Sequence, residues 1–390
     1  MTTLEPLTAE ALDVLRARRS AKWRTYPGDV LPLALAEMDF AVAPEISAVL
    51  ADAVRRSDLG YGAPGTELGD AFAGFAARHW GWAVRPSWVT AVTDVGLGVV
   101  ELLRVFTRPG DTVVISPPVY PPFLHWPHEA GLRKSEVPLV LRRDGYHLDL
   151  AGLEQAFARH PAAYILCNPQ NPVGCVHSAA EIESVVDLAR RYDVRLISDE
   201  IFGPLTFPEA AFTPLLSVRG AADVGVSVIS ASKAFNIAGL KCAVIVAGSD
   251  ATADALKNLP REVSWRAGHL GVMASVAAFT HGDQWLVRLL MTLQSRRTLL
   301  SALLAERLPA VTWHQPAASY LAWLDCSSLS LADAGDTFLA RGRVGLDKGG
   351  PYGGGGKEFV RLNFATSPEI LDQATAAMAA AIAAERATCW

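Results

Sequence analysis

The chain has 390 residues, of which 51% are apolar and 19% charged, and its net charge is −5. This length predicts two domains, or one large domain with a lobe, and the composition suits a large buried core. The negative charge and the lack of a basic cluster argue against nucleic acid as a main partner. No basic segment followed by an apolar one opens the chain, and no apolar run reaches about 18 residues, so we expect neither a secretory signal nor a membrane span.

The cysteines are scattered, without the spacing of a metal site or of a disulfide framework: Cys167, Cys175, Cys242, Cys326 and Cys389. An odd number of such residues is typical of reduced thiols, which predicts a cytoplasmic protein. Cys167 and Cys175 flank an Asn-Pro motif, but no second pair of ligands accompanies them, and we expect no metal site.

Between about residues 46 and 279, short apolar runs alternate with helical patterns. The predicted helices are Thr66–Ala77, Val99–Phe106, Leu150–Ala158 and Glu181–Tyr192. The predicted strands are Val89–Val92, Thr112–Ile115, Ala163–Leu166, Val194–Ile197, Val226–Ile229 and Ala243–Ala247. This alternation predicts an α/β domain with a mainly parallel sheet between helices.

The C-terminal part has a different pattern. Helical patterns at about 284–309 and 367–385 flank a predicted strand, Ser319–Leu324. With the N-terminal segment they predict a smaller α+β domain, so that the expected divisions are 1–45, 46–279 and 280–390. A glycine-rich stretch, residues 349–356, leads towards Arg361. It is either a mobile loop or a loop ordered near the substrate.

Polar residues follow several predicted strands. Tyr120, Asn171, Asp199 and Lys233 each come after the end of one strand, and open α/β sheets bind ligands at that edge. Lys233 ends the stretch Ser-Ala-Ser-Lys that begins at Ser230. An amine in this setting can hold an aldehyde as a Schiff base while the serines bind a phosphate. The alternative is a solvated turn, which the three other motifs disfavour.

Several motifs together carry a resemblance to a known family. In chain order the main ones are Asn168–Gly174, Ser198–Ile201, Ser230–Asn236 and Arg361–Ala365. They resemble the pyridoxal-phosphate (PLP) enzymes of fold type I, the aspartate-aminotransferase superfamily. Four further stretches resemble the MalY/PatB group of cystathionine β-lyase-like proteins: Lys22–Pro27, Ala36–Phe40, Pro117–Tyr120 and Lys233–Leu240. The resemblance implies the PLP-transferase fold, with a seven-stranded type of sheet in the large domain.

The resemblance also implies roles around the cofactor ring. Lys233 would hold PLP and move the substrate Cα proton. Asp199 would face the ring nitrogen, where an opposite charge raises the pKa of that nitrogen. Asn171 would donate a hydrogen bond to the 3′-oxygen, and Tyr120 would stack on the ring. Phe202 stands where relatives usually have Tyr or His and cannot donate that second hydrogen bond, which leaves Asn171 alone at the 3′-oxygen.

The remaining implied contacts concern the phosphate and the substrate. The phosphate would bind the backbone of Val95 and Gly96 at a helix start, together with the hydroxyls of Ser230 and Ser232. Lys241 stands where many relatives carry an arginine. Its ammonium offers a point charge instead of the planar, bidentate set of N–H donors of a guanidinium.

Two further residues are implied at the edges of the site. Tyr61 would reach the phosphate of the partner chain, which implies a homodimer with composite sites. Arg361 would grip the substrate α-carboxylate with its planar fork. The partners expected are therefore a small amino-acid substrate and a second copy of the chain.

The leading function is a PLP-dependent C–S β-lyase. It would take the Cα proton of an L-cysteine S-conjugate or a cystathionine-like substrate, expel the thiol, and leave pyruvate and ammonia. The alternative is an aminotransferase that uses the same first step, or a decarboxylating or deaminating variant. A PLP-binding regulatory protein is the third option, but such proteins normally carry an N-terminal DNA-binding domain, which the short segment before the family-like region disfavours.

Overall fold

The computed structural model describes residues 4–62 and 65–388. Two compact units divide the chain. The first comprises Met1–Ala41, Pro172–Gly174 and Val287–Trp390, and the second comprises Val42–Asn171 and Cys175–Leu286. The sequence-based divisions at residues 45 and 279 stay a prediction as domain boundaries. No helix among the described residues has both the length and the apolar character needed to cross a bilayer.

A seven-stranded sheet organises the second unit. Its strands, in chain order, are β1 (Val89–Val92), β2 (Thr112–Ile115), β3 (Arg133–Glu136), β4 (Ala163–Cys167), β5 (Arg195–Asp199), β6 (Gly225–Ile229) and β7 (Ala243–Ala247). Their order across the sheet is β1-β7-β6-β5-β4-β2-β3, and β7 runs antiparallel to both of its neighbours while the other pairs are parallel. Every residue of β4, β6 and β7 is buried, so both faces of the sheet are covered at its centre.

The six predicted strands are all present, although the bounds of β4, β5 and β6 differ from the prediction by one or two residues. Asp199 is the last residue of β5, whereas the predicted strand ended at Ile197. The sequence did not predict β3, because its Arg-Lys-Ser-Glu sequence is largely exposed at the edge of the sheet and has no apolar run.

Helices connect these strands. Those of the second unit are Pro44–Arg55, Glu67–Trp80, Val95–Phe106, Trp126–Glu129, Leu150–Phe157, Ala179–Tyr192, Ala221–Val224, Ala231–Ala234, Asp250–Leu256, Arg261–Trp265 and His269–His281. The helix Val95–Phe106 begins at Asp94, whose carboxylate accepts a hydrogen bond from the Leu97 amide at 2.9 Å. A Cβ at Gly98 would lie 3.3 Å from side chains of Val92 and Val228, so this glycine lets the helix lie close to the sheet.

The first unit contains a smaller antiparallel sheet. Its central strand Phe359–Asn363 pairs with Leu321–Asp325 on one side and with Asp347–Lys348 on the other. A two-residue strand, Leu31–Pro32, pairs in parallel with Val344–Gly345. The helices that belong to this unit, or enter it, are Leu12–Ala17, Ala21–Arg24, Asp283–Arg307, Ala334–Gly342 and Pro368–Thr388.

A buried ion pair joins the two N-terminal motifs, Lys22–Pro27 and Ala36–Phe40. Lys22 Nζ lies 2.7 Å from Asp39 Oδ2, and both side chains are about 1% exposed. Trp23 Nε1 donates to the other oxygen of Asp39 at 3.0 Å. Burial lowers the pKa of Lys22, and the nearby Asp39 carboxylate opposes this shift. Because neither charge can reach water, removing one of them would leave the other uncompensated.

The glycine-rich stretch folds back over Trp323. It forms two 3₁₀ turns, Gly350–Tyr352 and Gly356–Glu358, and the Gly349 amide donates to the Phe359 carbonyl at 2.8 Å. A Cβ built on Gly349 would overlap the carbonyl oxygen of Gly356. The backbone therefore closes on itself here at a separation that a side chain would prevent.

We expect Gly349→Ala to lower the free energy of unfolding by roughly 1–3 kcal/mol, because the new methyl group forces two backbone segments apart. Gly350→Ala is the matched control, since its Cβ would come no closer than 4.0 Å to another heavy atom, Lys357 Cα. Urea unfolding of both variants measures the difference. Equal stability of the two variants would contradict the close approach.

Candidate active site

Neighbouring parallel strands of the central sheet end in register. Asp199, at the end of β5, pairs with Cys167 at the end of β4 and with Val228 in β6. The chain leaving β4 continues into the loop of Asn171, and the chain leaving β6 continues into the turn of Lys233. Residues that are far apart in sequence therefore reach one edge of the sheet, which is where open α/β sheets bind ligands.

Asp199 is a buried carboxylate close to a lysine. The Ile201 amide donates to its Oδ1 at 3.1 Å. Burial raises the pKa of Asp199 to about 7, while the Ile201 amide and the charge of Lys233 oppose the shift. Lys233 lies in the one-turn helix Ala231–Ala234 and is half-buried. The lysine is therefore within electrostatic reach of the carboxylate, as the predicted site requires.

Glu200 is a second buried carboxyl group beside the first. Its Oε1 accepts hydrogen bonds from the Leu215 amide at 2.8 Å and from the Ser227 hydroxyl at 3.2 Å. Burial raises the pKa of Glu200 to about 7, and the adjacent Asp199 charge acts in the same direction. These contacts fix the loop that follows β5.

The loop of Asn171 is tied to the segment that carries Tyr120. Gln170 Nε2 donates to the carbonyls of Ser116 and Pro118, both at 2.9 Å, and all three groups are buried. Asn171 is also buried. Sequence reasoning missed Gln170, although its place between the two Asn-Pro pairs of the motif marked it as a polar side chain in a stiff loop.

Tyr120 and the start of the helix Val95–Phe106 both pack on Trp126. The Tyr120 ring lies edge-on to Trp126, with centroids 6.3 Å apart, and it is 40% exposed. A Cβ on Gly96 would lie 3.2 Å from the same tryptophan ring. The structure thus brings Tyr120 near the first backbone amides of the helix, those of Val95 and Gly96, which point away from the helix body and suit an anion.

Lys241 also lies at this helix start. Its ammonium is 3.1 Å from Asp94 Oδ2, the residue that caps the helix, and both side chains are partly exposed. Lys241 has a left-handed backbone conformation, with φ of 58°, which costs energy for a residue other than glycine. Lys241 therefore lies at the same helix start as Val95 and Gly96, and its ammonium is paired with a carboxylate.

The two serines of the Lys233 turn have different surroundings. Ser230 is buried, donates its hydroxyl proton to the Cys242 carbonyl at 2.6 Å, and accepts from the Ser232 amide at 3.1 Å. Ser230 therefore caps the turn and has no proton left for a phosphate oxygen in this geometry. Ser232 is half-buried, and is the better candidate for that contact.

Tyr61 is the most exposed of the predicted site residues, at 90%. Its ring contacts Trp265 edge-on, with centroids 6.2 Å apart. Trp265 is itself 54% exposed, and sequence reasoning did not single it out. The contribution of Tyr61 to a partner chain stays a prediction.

Arg361 lies in the first unit, on the strand Phe359–Asn363, and is 3% exposed. Its Nη2 donates to the Ala34 carbonyl at 3.0 Å and to the Asp347 carboxylate. The Tyr352 ring centroid lies 5.1 Å from the guanidinium carbon. Sequence reasoning missed Asp347, because only the pairing of the two strands places it opposite Arg361.

We expect the buried Glu200 to make stability depend on pH. Burial raises its pKa from 4.5 to about 7 in the folded chain, so the folded state holds a proton that the unfolded state releases between these values. Stability contributed by this proton is present below pH 4.5 and is lost as pH rises to about 7. The isosteric, uncharged Glu200→Gln should therefore gain stability relative to wild type between pH 5 and pH 8, by up to about 3 kcal/mol.

Denaturant unfolding at several pH values measures this gain. Glu183→Gln, at an exposed position of the helix Ala179–Tyr192, is the matched control and should show no such trend. A stability difference between Glu200→Gln and wild type that stays constant from pH 5 to pH 8 would contradict a protonated Glu200.

Known proteins resemble this chain over nearly its whole length. A protein of Mycobacterium leprae that carries the provisional name cystathionine β-lyase is 44% identical, over 97% of this chain and 99% of its own. Cystathionine β-lyase of Corynebacterium glutamicum is 35% identical, over 93% of this chain and 96% of its own.

A solved structure from Corynebacterium diphtheriae, provisionally described as a PLP-dependent β-cystathionase, superimposes with a TM-score of 0.92 and 33% identity. It covers 97% of this chain and 99% of its own. The model of the family described as aminotransferase class I and II matches residues 28–378. The protein therefore belongs to the aminotransferase class I and II family.

Proposed function

We propose that this protein is a PLP-dependent carbon–sulfur β-lyase. Its substrate would be an L-cysteine S-conjugate or a cystathionine-like amino acid, and its products the thiol, pyruvate and ammonia. The observation that carries the proposal is the lysine within electrostatic reach of a buried carboxylate, Asp199, at the carboxyl edge of the sheet. The reaction type is supported by relatives named cystathionine β-lyase at 35–44% identity.

The residues at this edge fit the proposed cofactor. PLP needs an amine, an acid at its ring nitrogen, a donor at its 3′-oxygen, a flat neighbour and a phosphate cradle. Lys233, Asp199, Asn171 and Tyr120 would supply the first four. The amides of Val95 and Gly96, with Ser232 and Lys241, would supply the cradle. Phe202 is buried and has no hydroxyl, so the hydrogen bond to the 3′-oxygen falls to Asn171.

Lys233 would do the proton transfers. When bound, PLP withdraws electrons from the substrate Cα and so makes its proton removable. Lys233 Nζ would take that proton, after which the Cβ–S bond breaks and the thiolate leaves. Asp199 would face the ring nitrogen as a carboxylate, and its own pKa would fall when it is paired with a positive charge there. Water then completes the release of pyruvate and ammonia.

Arg361 would hold the substrate by its α-carboxylate. The guanidinium is buried and fixed by Ala34 and the Tyr352 ring, so its orientation is set before the substrate arrives. A fixed carboxylate sets which bond at Cα stands perpendicular to the cofactor plane. The proposed reaction requires the Cα–H bond, and not the Cα–COO⁻ bond, to be the one in that position.

We expect the purified protein to release pyruvate and methanethiol from S-methyl-L-cysteine without any added keto acid. Lys233→Ala should abolish this release and the visible absorbance that borohydride bleaches. Arg361→Ala removes a buried ionic contact worth about 2–5 kcal/mol, so kcat/KM should fall by roughly thirty-fold to several thousand-fold. Arg361→Lys should recover only part of that loss.

Arg343→Ala is the control for these arginine variants, because it removes only an exposed ion pair with Asp29 in the same unit, and it should leave kcat/KM nearly unchanged. If the wild type released no pyruvate from cysteine conjugates but exchanged amino groups with a keto acid, the protein would be an aminotransferase. Near-normal kcat/KM in Arg361→Ala would remove Arg361 from the substrate site.

We further propose a homodimer with composite sites, and a cytoplasmic location. An exposed aromatic pair supports the dimer: Tyr61 and Trp265 contact each other and are 90% and 54% exposed. Exposed apolar surface of this kind is typical of association surfaces. The location is supported by four described cysteines that are free thiols. Cys389 lies outside the described residues.

Placing a charge in this aromatic pair should separate the dimer. We expect Trp265→Glu to shift the sedimentation coefficient from dimer to monomer and to weaken cofactor retention, because a buried glutamate at an interface loses its hydration. Leu141→Glu, on the hairpin Val140–His147, is the control, since Leu141 is equally exposed at 55%. A fully active wild-type monomer would rule out composite sites.

A further inference from the structure

Asp347 holds a carboxylate against the arginine proposed to bind the substrate. The two residues are direct partners across the antiparallel pair of strands Asp347–Lys348 and Phe359–Asn363. Asp347 Oδ2 accepts from Arg361 Nη2 and, at 2.9 Å, from the Tyr352 hydroxyl. The Asp347 side chain is 36% exposed, whereas Arg361 is 3% exposed. A partly exposed anion therefore balances a buried cation.

Because of the geometry of a guanidinium, the contact with Asp347 occupies a donor that bidentate carboxylate binding needs. A carboxylate binds arginine bidentately through two parallel N–H groups, either Nη1 with Nη2 or Nε with Nη2. Both pairs include Nη2. Its two protons are directed to the Ala34 carbonyl and to Asp347. An incoming carboxylate that binds the guanidinium bidentately must therefore accept a hydrogen bond from an Nη2–H group that already donates to another part of the protein.

Asp347 is not required to orient Arg361. The Ala34 carbonyl holds Nη2 at 3.0 Å, and the Tyr352 ring lies beside the guanidinium. Tyr352 is fixed in turn by Trp323, whose ring centroid is 5.2 Å away, and both aromatic side chains are buried. These contacts do not depend on the charge of Asp347. The effect of that charge on carboxylate affinity can therefore be measured while Arg361 keeps its orientation.

We propose that Asp347 is a specificity-determining residue that competes with incoming carboxylates for Arg361 Nη2. The inference rests on the proposed role of Arg361 in substrate binding. The substrate α-carboxylate displaces Asp347 from Nη2, and the Tyr352 hydroxyl retains the displaced carboxylate. A ligand held by its carboxylate alone, such as the product pyruvate, has to overcome this competition without other contacts. An amino-acid substrate, which is also held through its amino group, binds despite it.

The test measures binding without catalysis. The probe is 3-(methylthio)propionate, which has the carboxylate and thioether of S-methyl-cysteine but no amino group, so it cannot react. Calorimetry with the cofactor-loaded protein gives its Kd. Asp347→Asn keeps the shape and a neutral acceptor but removes the charge. We expect it to bind the probe roughly three- to thirty-fold more tightly than wild type, and to be inhibited by pyruvate at correspondingly lower concentrations.

Asp336→Asn is the matched control. It removes the same charge from the same unit, at a carboxylate that pairs with Lys348, the neighbour of Asp347. Its probe affinity should equal that of wild type. Arg361→Lys should weaken probe binding in either background. If Asp347→Asn does not fold, Asp347→Ser carries the same expectation, because it also lacks the competing charge.

Unchanged or weaker probe binding in Asp347→Asn would overturn the inference and leave Asp347 as a positioning residue. Equal tightening in Asp336→Asn would also overturn it, because the effect would then be one of net charge. The lyase proposal fails by a different observation, the absence of pyruvate from cysteine conjugates. Probe binding to the Asp347 and Arg361 variants can still be compared in that case.

Discussion

The site depends on adjacent buried strands that end together. Because β4, β5 and β6 are parallel and in register at Cys167, Asp199 and Val228, the chain has to turn at the same edge of the sheet each time. The interior of the sheet excludes water, so any polar group at this edge is partly desolvated. That single constraint both assembles residues distant in sequence and changes their protonation equilibria.

The cost of burying a charged group is offset in three ways in this chain: by a buried ion pair, by a partly exposed counter-ion, and by a raised carboxyl pKa. Lys22 and Asp39 neutralise each other inside the first unit, and Arg361 is balanced by a carboxylate that still reaches water. Asp199 and Glu200 have amide and hydroxyl donors, and their pKa values rise to about 7. Asp199 and Glu200 lie at the end of β5, and raised carboxyl pKa values of this kind are common at functional sites, whereas the buried charges of Lys22 and Asp39 compensate each other.

Apolar runs were sufficient to predict six of the sheet strands, because a strand buried on both faces has to be apolar throughout. The edge strand β3 is polar and left no such signal. The motif residues Asp199 and Lys233 could be found because each lies within four residues of the end of an apolar run. Asp347 could not, because the register of two strands places it opposite Arg361. The hydrogen bond from the Ser230 hydroxyl to the Cys242 carbonyl likewise depends on the folded structure.

The raised pKa of Asp199 has a calorimetric consequence. With a pKa of about 7, roughly half of the cofactor-free molecules carry a proton on this carboxyl group at neutral pH. In the proposed arrangement, a positively charged ring nitrogen facing Asp199 would expel that proton into the solution. The heat of cofactor loading would then include the ionisation enthalpy of whichever buffer accepts the proton, and titrations in Tris and in phosphate would give different apparent enthalpies for the same binding event.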